Sequence, residues 1–132
     1  MSSIPYLYVK RDTRYMTHPS LDDLSRWYDE REKQILDEFF QFLSMPSIST
    51  DPSYHNECLK TADFLMHYLK KIGMTPSLWT NPGLPVVFAE HKAHANAPTV
   101  LIYQHYDVQP VDPLELWSSD PFCPVIKEGK VY

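Results

Sequence analysis

A histidine and an aspartate two residues apart, His105 and Asp107, have the clearest capacity for chemistry in this chain. A histidine that serves as a metal ligand needs its other ring nitrogen held, often by a carboxylate. On an extended segment, residues two apart point to the same side. His-x-Asp can therefore supply a ligand and its clamp together. The ordinary explanation of such a pair is a solvated polar couple or a local hydrogen bond. The preceding residues make it more informative. Val100-Leu101-Ile102-Tyr103 is a continuous apolar run. It has no polar alternation, so Thr99–Tyr103 reads as a strand buried on both faces, as in the middle of a parallel sheet. In open α/β sheets, ligands sit at the carboxyl ends of such strands.

Other candidate side chains are less promising. His55 and His67 stand twelve apart on one predicted helix, without an acidic or cysteine partner at ligand spacing, and read as surface or packing residues. His91 and His94 form His-x-x-His in a loop. Two histidines fall short of the three or more convergent ligands a metal site usually needs, so this loop reads as solvent-exposed. Cys58 and Cys123 fit ordinary free thiols of a reducing compartment, and a single disulfide between them is also compatible with the sequence.

The chain has 132 residues, 43% hydrophobic and 22% charged, close to a soluble globular average. The net charge of −5, without a basic block, argues against a nucleic-acid surface. No apolar run reaches the length of a membrane span. The N-terminal apolar stretch is short and aromatic, and Lys10 and Arg11 follow it, which is not the layout of a signal peptide. The cytoplasm is the expected location. Twelve prolines against three glycines, with most of the prolines between 76 and 124, predict rigid, shaped loops there.

Residues 1–19 have no clear period and read as an extended arm. Ser20 suits a helix N-cap, with Asp22 and Asp23 in the first turn. Leu21, Leu24, Tyr28, Ile35, Phe39 and Phe42 then recur at helical spacing, predicting one helix that runs to Met45 and is stopped by Pro46. The phenylalanines Phe39, Phe40 and Phe42 are expected in the core. Residues 46–52 are a loop by composition. A second helix is predicted from about Ser53 to Ile72, burying Leu59, Ala62, Leu65, Leu69 and Ile72, with Gly73 in the left-handed position after it. Strands are predicted at Thr75–Trp79, Val86–Glu90 and Thr99–Tyr103. A proline-rich loop spans 106–124, and a hairpin with a Glu128-Gly129 turn closes the sequence.

Several of these words together resemble one family. Leu101-Ile102-Tyr103 is followed by His105-Tyr106-Asp107-Val108-Gln109-Pro110, then by Trp117, Asp120-Pro121-Phe122, Pro124 and Ile126-Lys127-Glu128-Gly129-Lys130-Val131-Tyr132. Upstream stands Phe42-Leu43-Ser44-Met45-Pro46-Ser47-Ile48-Ser49. The set resembles the co-catalytic metallopeptidases related to carnosinase, glutamate carboxypeptidase and acetylornithine deacetylase, over most of the chain after residue 20. One departure is Gln104, where many relatives carry glycine.

The resemblance implies an α/β fold. Residues 20–132 would form the N-terminal part of a three-layer helix-sheet-helix catalytic domain, apparently truncated. It implies two divalent ions, usually zinc, in the complete site. His105 corresponds to a histidine that binds one metal, and Asp107 to the catalytic-site aspartate that orients that imidazole. The bridging aspartate, glutamate base, further carboxylates and second histidine of the family would follow Tyr132. The implied reaction is hydrolysis of an amide bond in a dipeptide or acylated amino acid, with this chain inactive alone. The alternative is a non-catalytic truncated product or interaction module. In either case, incomplete strand pairing is expected to leave an exposed sheet edge and to favour self-association.

Overall fold

A computed structural model describes residues 19–80 and 82–132. The predicted arm at 1–19 lies almost wholly outside the described residues. The chain divides into two compact units, residues 1–35 and 36–132.

In the first unit, helix α1 (Leu21–Asp29) starts at Ser20, as its sequence predicts. The Ser20 hydroxyl accepts from the Asp23 backbone N–H at 3.1 Å, and the Asp23 carboxylate accepts from the Ser20 N–H at 3.0 Å. This reciprocal pair satisfies two of the amides that a helix start leaves without partners. The predicted single helix is in fact two. Helix α2 (Glu32–Leu43) begins after a break at Glu30 and Arg31. Periodicity cannot register this break, because it depends on which group takes one carbonyl. The Arg31 guanidinium donates to the Trp27 carbonyl at 3.0 Å, while the Arg31 amide turns to Tyr28 at 2.8 Å. The guanidinium also lies 5.1 Å from the Trp27 ring centroid. No residue of α1 is buried. The apolar stripe expected to face the core is open at Leu21, Leu24 and Tyr28, and Phe39 is exposed as well.

The second unit is built around helix α3 (His55–Lys71), strand β1 (Thr75–Trp79) and strand β2 (Val86–Glu90). Asp51 caps the 3-10 turn leading into α3, accepting from the Ser53 amide at 2.8 Å. At the other end, Gly73 has φ +88°, and the Met74 amide reaches back to the Leu69 carbonyl at 3.0 Å. That left-handed step turns the chain directly into β1. β1 and β2 pair antiparallel, from Thr75 opposite Glu90 to Trp79 opposite Val86. Trp79 and the diagonal Phe88 stack with ring centroids 4.7 Å apart. α3 lies against both strands.

The expected α3 stripe is met in part: Ala62 is buried and Leu65 and Leu69 are half-buried. Cys58, Thr61 and Ala62 are buried, whereas Leu59 and Ile72 are exposed. Small residues let neighbouring backbone approach closely, and hydrophobicity alone does not identify such a face. Strands β3 (Ile126–Lys127) and β4 (Lys130–Val131) form the predicted terminal hairpin. Glu128 and Gly129 both have positive φ, 52° and 73°, as the tightest hairpin turns require.

The largest difference from expectation is at Thr99–Tyr103. No ladder forms there. Val100, Leu101, Ile102 and Tyr103 are 80%, 85%, 77% and 76% exposed. A strand exists through its hydrogen-bonded neighbours, and both described sheets contain only their own hairpin strands. The apolar run satisfies the requirement for burial on two faces, but among the described residues nothing supplies those faces.

Candidate functional site

The site begins where α2 ends. The Ser47 amide donates to the Met45 carbonyl at 2.8 Å and the Ile48 amide to Pro46 at 2.9 Å, and the chain then leaves the helix. Ile48 is only 3% exposed. It anchors the segment and leaves a serine on either side. Ser47 holds the backbone of the His-x-Asp segment through two bonds. Its hydroxyl donates to the Tyr106 carbonyl at 2.6 Å, and its carbonyl accepts from the Val108 amide at 3.0 Å. Ile48 and Val108 form a single parallel bridge. The downstream side of His105 is thus tied to the loop after α2, although the upstream side has no ladder.

Side chains alternate along this tied segment. Tyr106 points one way, and its hydroxyl donates to the Pro85 carbonyl at 2.6 Å, just before β2. Burial pushes the Tyr106 phenol pKa up, with the nearby Cys58 and Asp107 acting in the same direction. His105 and Asp107 meet each other: His105 Nδ1 stands 3.0 Å from Asp107 Oδ1. The other carboxylate oxygen, Oδ2, accepts from the Ser49 hydroxyl at 2.6 Å. The Ser49 hydrogen bond is the main cause holding the Asp107 carboxyl below its ordinary range. Partial burial opposes it, and His105 adds to it. An ionised carboxylate can only accept, so Nδ1 of the neutral ring carries the hydrogen and Nε2 presents a lone pair. The Tyr103 hydroxyl approaches Nε2 at 3.4 Å, a long contact from an exposed side chain.

This arrangement fits one metal ligand and its clamp, with Nε2 as the donor atom. It does not make a complete metal cage. Among the described residues no three His, Cys, Asp or Glu side chains converge. On the exposed side of α3, His67 Nδ1 lies 2.8 Å from the Asp63 carbonyl and 3.5 Å from Asp63 Oδ2, an acidic partner one turn back that was not expected from the sequence. His91 and His94 are exposed. His55 borders an open hollow of about 380 Å³ beside Ser49, with Thr50, Asp51 and Pro82.

Sequence reasoning identified the His105–Asp107 pair but missed Ser49. The signal was the Ser-Ile-Ser alternation after Pro46, in which one apolar residue between two hydroxyls marks a pinned, extended segment. Both cysteines are free, Cys58 buried and Cys123 exposed. Burial pushes the Cys58 thiol up, and the Asp107 charge adds to this. Thiol reactivity follows the thiolate and its access. Native protein at mildly alkaline pH is therefore expected to take up one equivalent of iodoacetamide rapidly, at Cys123, and the second only in urea. Mass spectrometry of the labelled peptides checks this, and rapid native labelling of Cys58 would contradict the sealed α3 face.

The mixed helix and strand fold, with a clamped histidine at the end of an apolar run, fits the place among metallopeptidases that the motif words suggest. Comparison with known proteins supports that placement. No family model matches the chain. The Cys-Gly metallodipeptidase dug1 of Schizosaccharomyces pombe is 29% identical over 124 residues, which cover 86% of this chain and 26% of that protein. The succinyl-diaminopimelate desuccinylase of Stenotrophomonas maltophilia strain K279a is 31% identical over 102 residues, 74% of this chain and 24% of that protein. The solved structure of the dipeptidase Dug1p from Saccharomyces cerevisiae superposes with a TM-score of 0.76 at 25% identity, covering 85% of this chain and 26% of that one. The chain spans about a quarter of the length of the curated relatives it matches. Over that share, it is similar to these metallopeptidases in sequence and in fold.

Proposed function

We propose that this chain supplies the His105–Asp107 part of a zinc-dependent dipeptidase site. The substrate would be a small peptide or an acylated amino acid, the location cytoplasmic, and residues 20–132 part of a catalytic domain. The observation that carries this reading is the 3.0 Å His105–Asp107 contact in a chain whose relatives are named metallodipeptidases. His105 would hold one of two divalent ions through Nε2, and Asp107 would fix the ring. The bound metals would polarise the scissile carbonyl and acidify a water. Catalytic zinc normally takes three protein ligands, and the described residues bring one together. The remaining carboxylates and the second histidine would come from polypeptide outside the 132 residues, so the chain alone would not hydrolyse peptides.

The test is titration of the 132-residue chain with zinc or cobalt(II), alongside an assay of Cys-Gly hydrolysis. Weak metal binding that is lost in His105→Ala, with no hydrolysis above the metal blank, is expected. Zinc-dependent cleavage that disappears in His105→Ala would overturn the proposed inactivity. Metal binding unchanged in His105→Ala would overturn the ligand role.

The exposure of Val100–Tyr103 supports a second element of the proposal, self-association through this apolar run. Sedimentation velocity is expected to show concentration-dependent oligomers that Leu101→Lys disperses. A monomer at all concentrations would exclude it.

A further inference from the structure

We propose that Ser49 is a positioning residue for His105: by holding one oxygen of the Asp107 carboxylate, it aims the other at the imidazole and so fixes which ring nitrogen is presented outward. The inference rests on the reading of His105 as a metal ligand.

A carboxylate swings readily about its terminal bond, because that torsion is broad and roughly two-fold. A single bond to a solvent-exposed imidazole does not stop the swing. Here Asp107 is held from both sides, with Oδ2 on the Ser49 hydroxyl at 2.6 Å and Oδ1 on His105 Nδ1 at 3.0 Å. The serine bond is the shorter, as expected for a hydroxyl donating to a charged oxygen. The imidazole contact is the more open one, with the His105 side chain 71% exposed and Asp107 36%.

Ser49 is itself located by firm structure. Ile48 beside it is buried, and the two Ser47 bonds tie the same loop to Tyr106 and Val108. The order of control therefore runs from the buried Ile48 to Ser49, then to the Asp107 carboxylate and finally to the His105 ring. Without the hydroxyl, the carboxylate would turn toward solvent for part of the time, and the ring would lose the acceptor that keeps hydrogen on Nδ1. The nitrogen offered to a metal would then no longer be set.

The experiment reads the ring directly and without metal. Long-range ¹H–¹⁵N spectra of the labelled 132-residue chain, at a pH where imidazole is neutral, report the tautomer of His105. The wild type is expected to show hydrogen on Nδ1, Ser49→Thr to show the same, and Ser49→Ala to show a mixture. Zinc affinity, titrated with the metal alone, is expected to fall about tenfold or more in Ser49→Ala, the usual scale for losing a partner behind a ligand, and to recover in Ser49→Thr. Protection of the Val108 amide from exchange confirms that the loop remains tied. If Ser49→Ala does not fold, Ser49→Cys keeps the volume with a weak donor and is expected to give the same mixture. An Nδ1–H ring and unchanged zinc affinity in the folded variant lacking the hydroxyl would overturn the inference while leaving His105 as ligand. A scrambled ring in Ser49→Ala, together with zinc binding unaffected by His105→Ala, would instead overturn the ligand reading and leave the positioning role standing.

Discussion

Replacing Asp107 with asparagine is expected to lower metal affinity at the proposed ligand His105 by about ten- to a hundred-fold, the range seen when the partner behind a ligating histidine is removed. The shape of the side chain is retained, so the loss is electronic and orientational. An amide presents either a neutral oxygen or an N–H₂ to the ring. The oxygen is a weaker acceptor than the carboxylate. The N–H₂ forces hydrogen onto Nε2 and removes the lone pair a metal would use. Calorimetric zinc titration of the two proteins measures the difference, and equal affinities would show that the 3.0 Å contact has no bearing on the ligand.

The same substitution has a pH signature. The Ser49 hydroxyl chiefly, and His105 after it, hold the Asp107 carboxyl below its ordinary value of 3.8 in the folded chain. A depressed folded pKa means that the unfolded chain binds the proton first as pH falls. The stabilisation is fully present above 3.8 and is lost as pH drops through the lower folded value. The stability gap between wild type and Asp107→Asn is therefore expected to be widest near neutrality and to narrow in acid. Urea midpoints measured at pH 7 and below the ordinary carboxylate value test the sign. A gap that widens in acid would contradict the hydrogen-bond arrangement.

Truncating Ile48 to alanine is expected to have the largest effect on stability, about 2–5 kcal/mol. That is a substantial share of the 5–15 kcal/mol typical of a whole domain. Few apolar side chains are fully sealed among the described residues: Ile48, Cys58 and Ala62 form that core. Of these, Ile48 has the most to lose. Ile48→Val should cost much less, about 0.5–1.5 kcal/mol. Leu101→Ala, at a position 85% exposed, should cost almost nothing. Urea unfolding of the three variants orders them, and an Ile48→Ala cost no greater than that of Leu101→Ala would show that the loop is not anchored there. Because Ser47 and Ser49 flank this residue, Ile48→Ala should also loosen the hydrogen bonds to Tyr106 and Asp107.

Local chemistry wrote a good part of this protein into its sequence. The Ser20 cap, the extent of α3, the left-handed Gly73, the β1 and β2 strands and the Glu128-Gly129 turn all follow from interactions within a few residues. Side-chain caps, positive φ and alternation carry that information without reference to the rest of the chain. The nearness of His105 and Asp107 was legible for the same reason, since a two-residue spacing brings two side chains together wherever the backbone is extended.

The tertiary structure decided what depends on a distant partner. Whether Thr99–Tyr103 is a strand is set by the hydrogen-bonding neighbours beside it, and its own apolar residues cannot provide them. The break between α1 and α2 depended on one arginine taking one carbonyl. On α3, packing sealed Cys58 and Thr61 beside the expected Ala62 and left Leu59 exposed. Ser49 meets Asp107 across 58 positions of sequence. No local period encodes that distance, and the contact forms because burial of Ile48 brings the loop after α2 against the segment carrying the histidine.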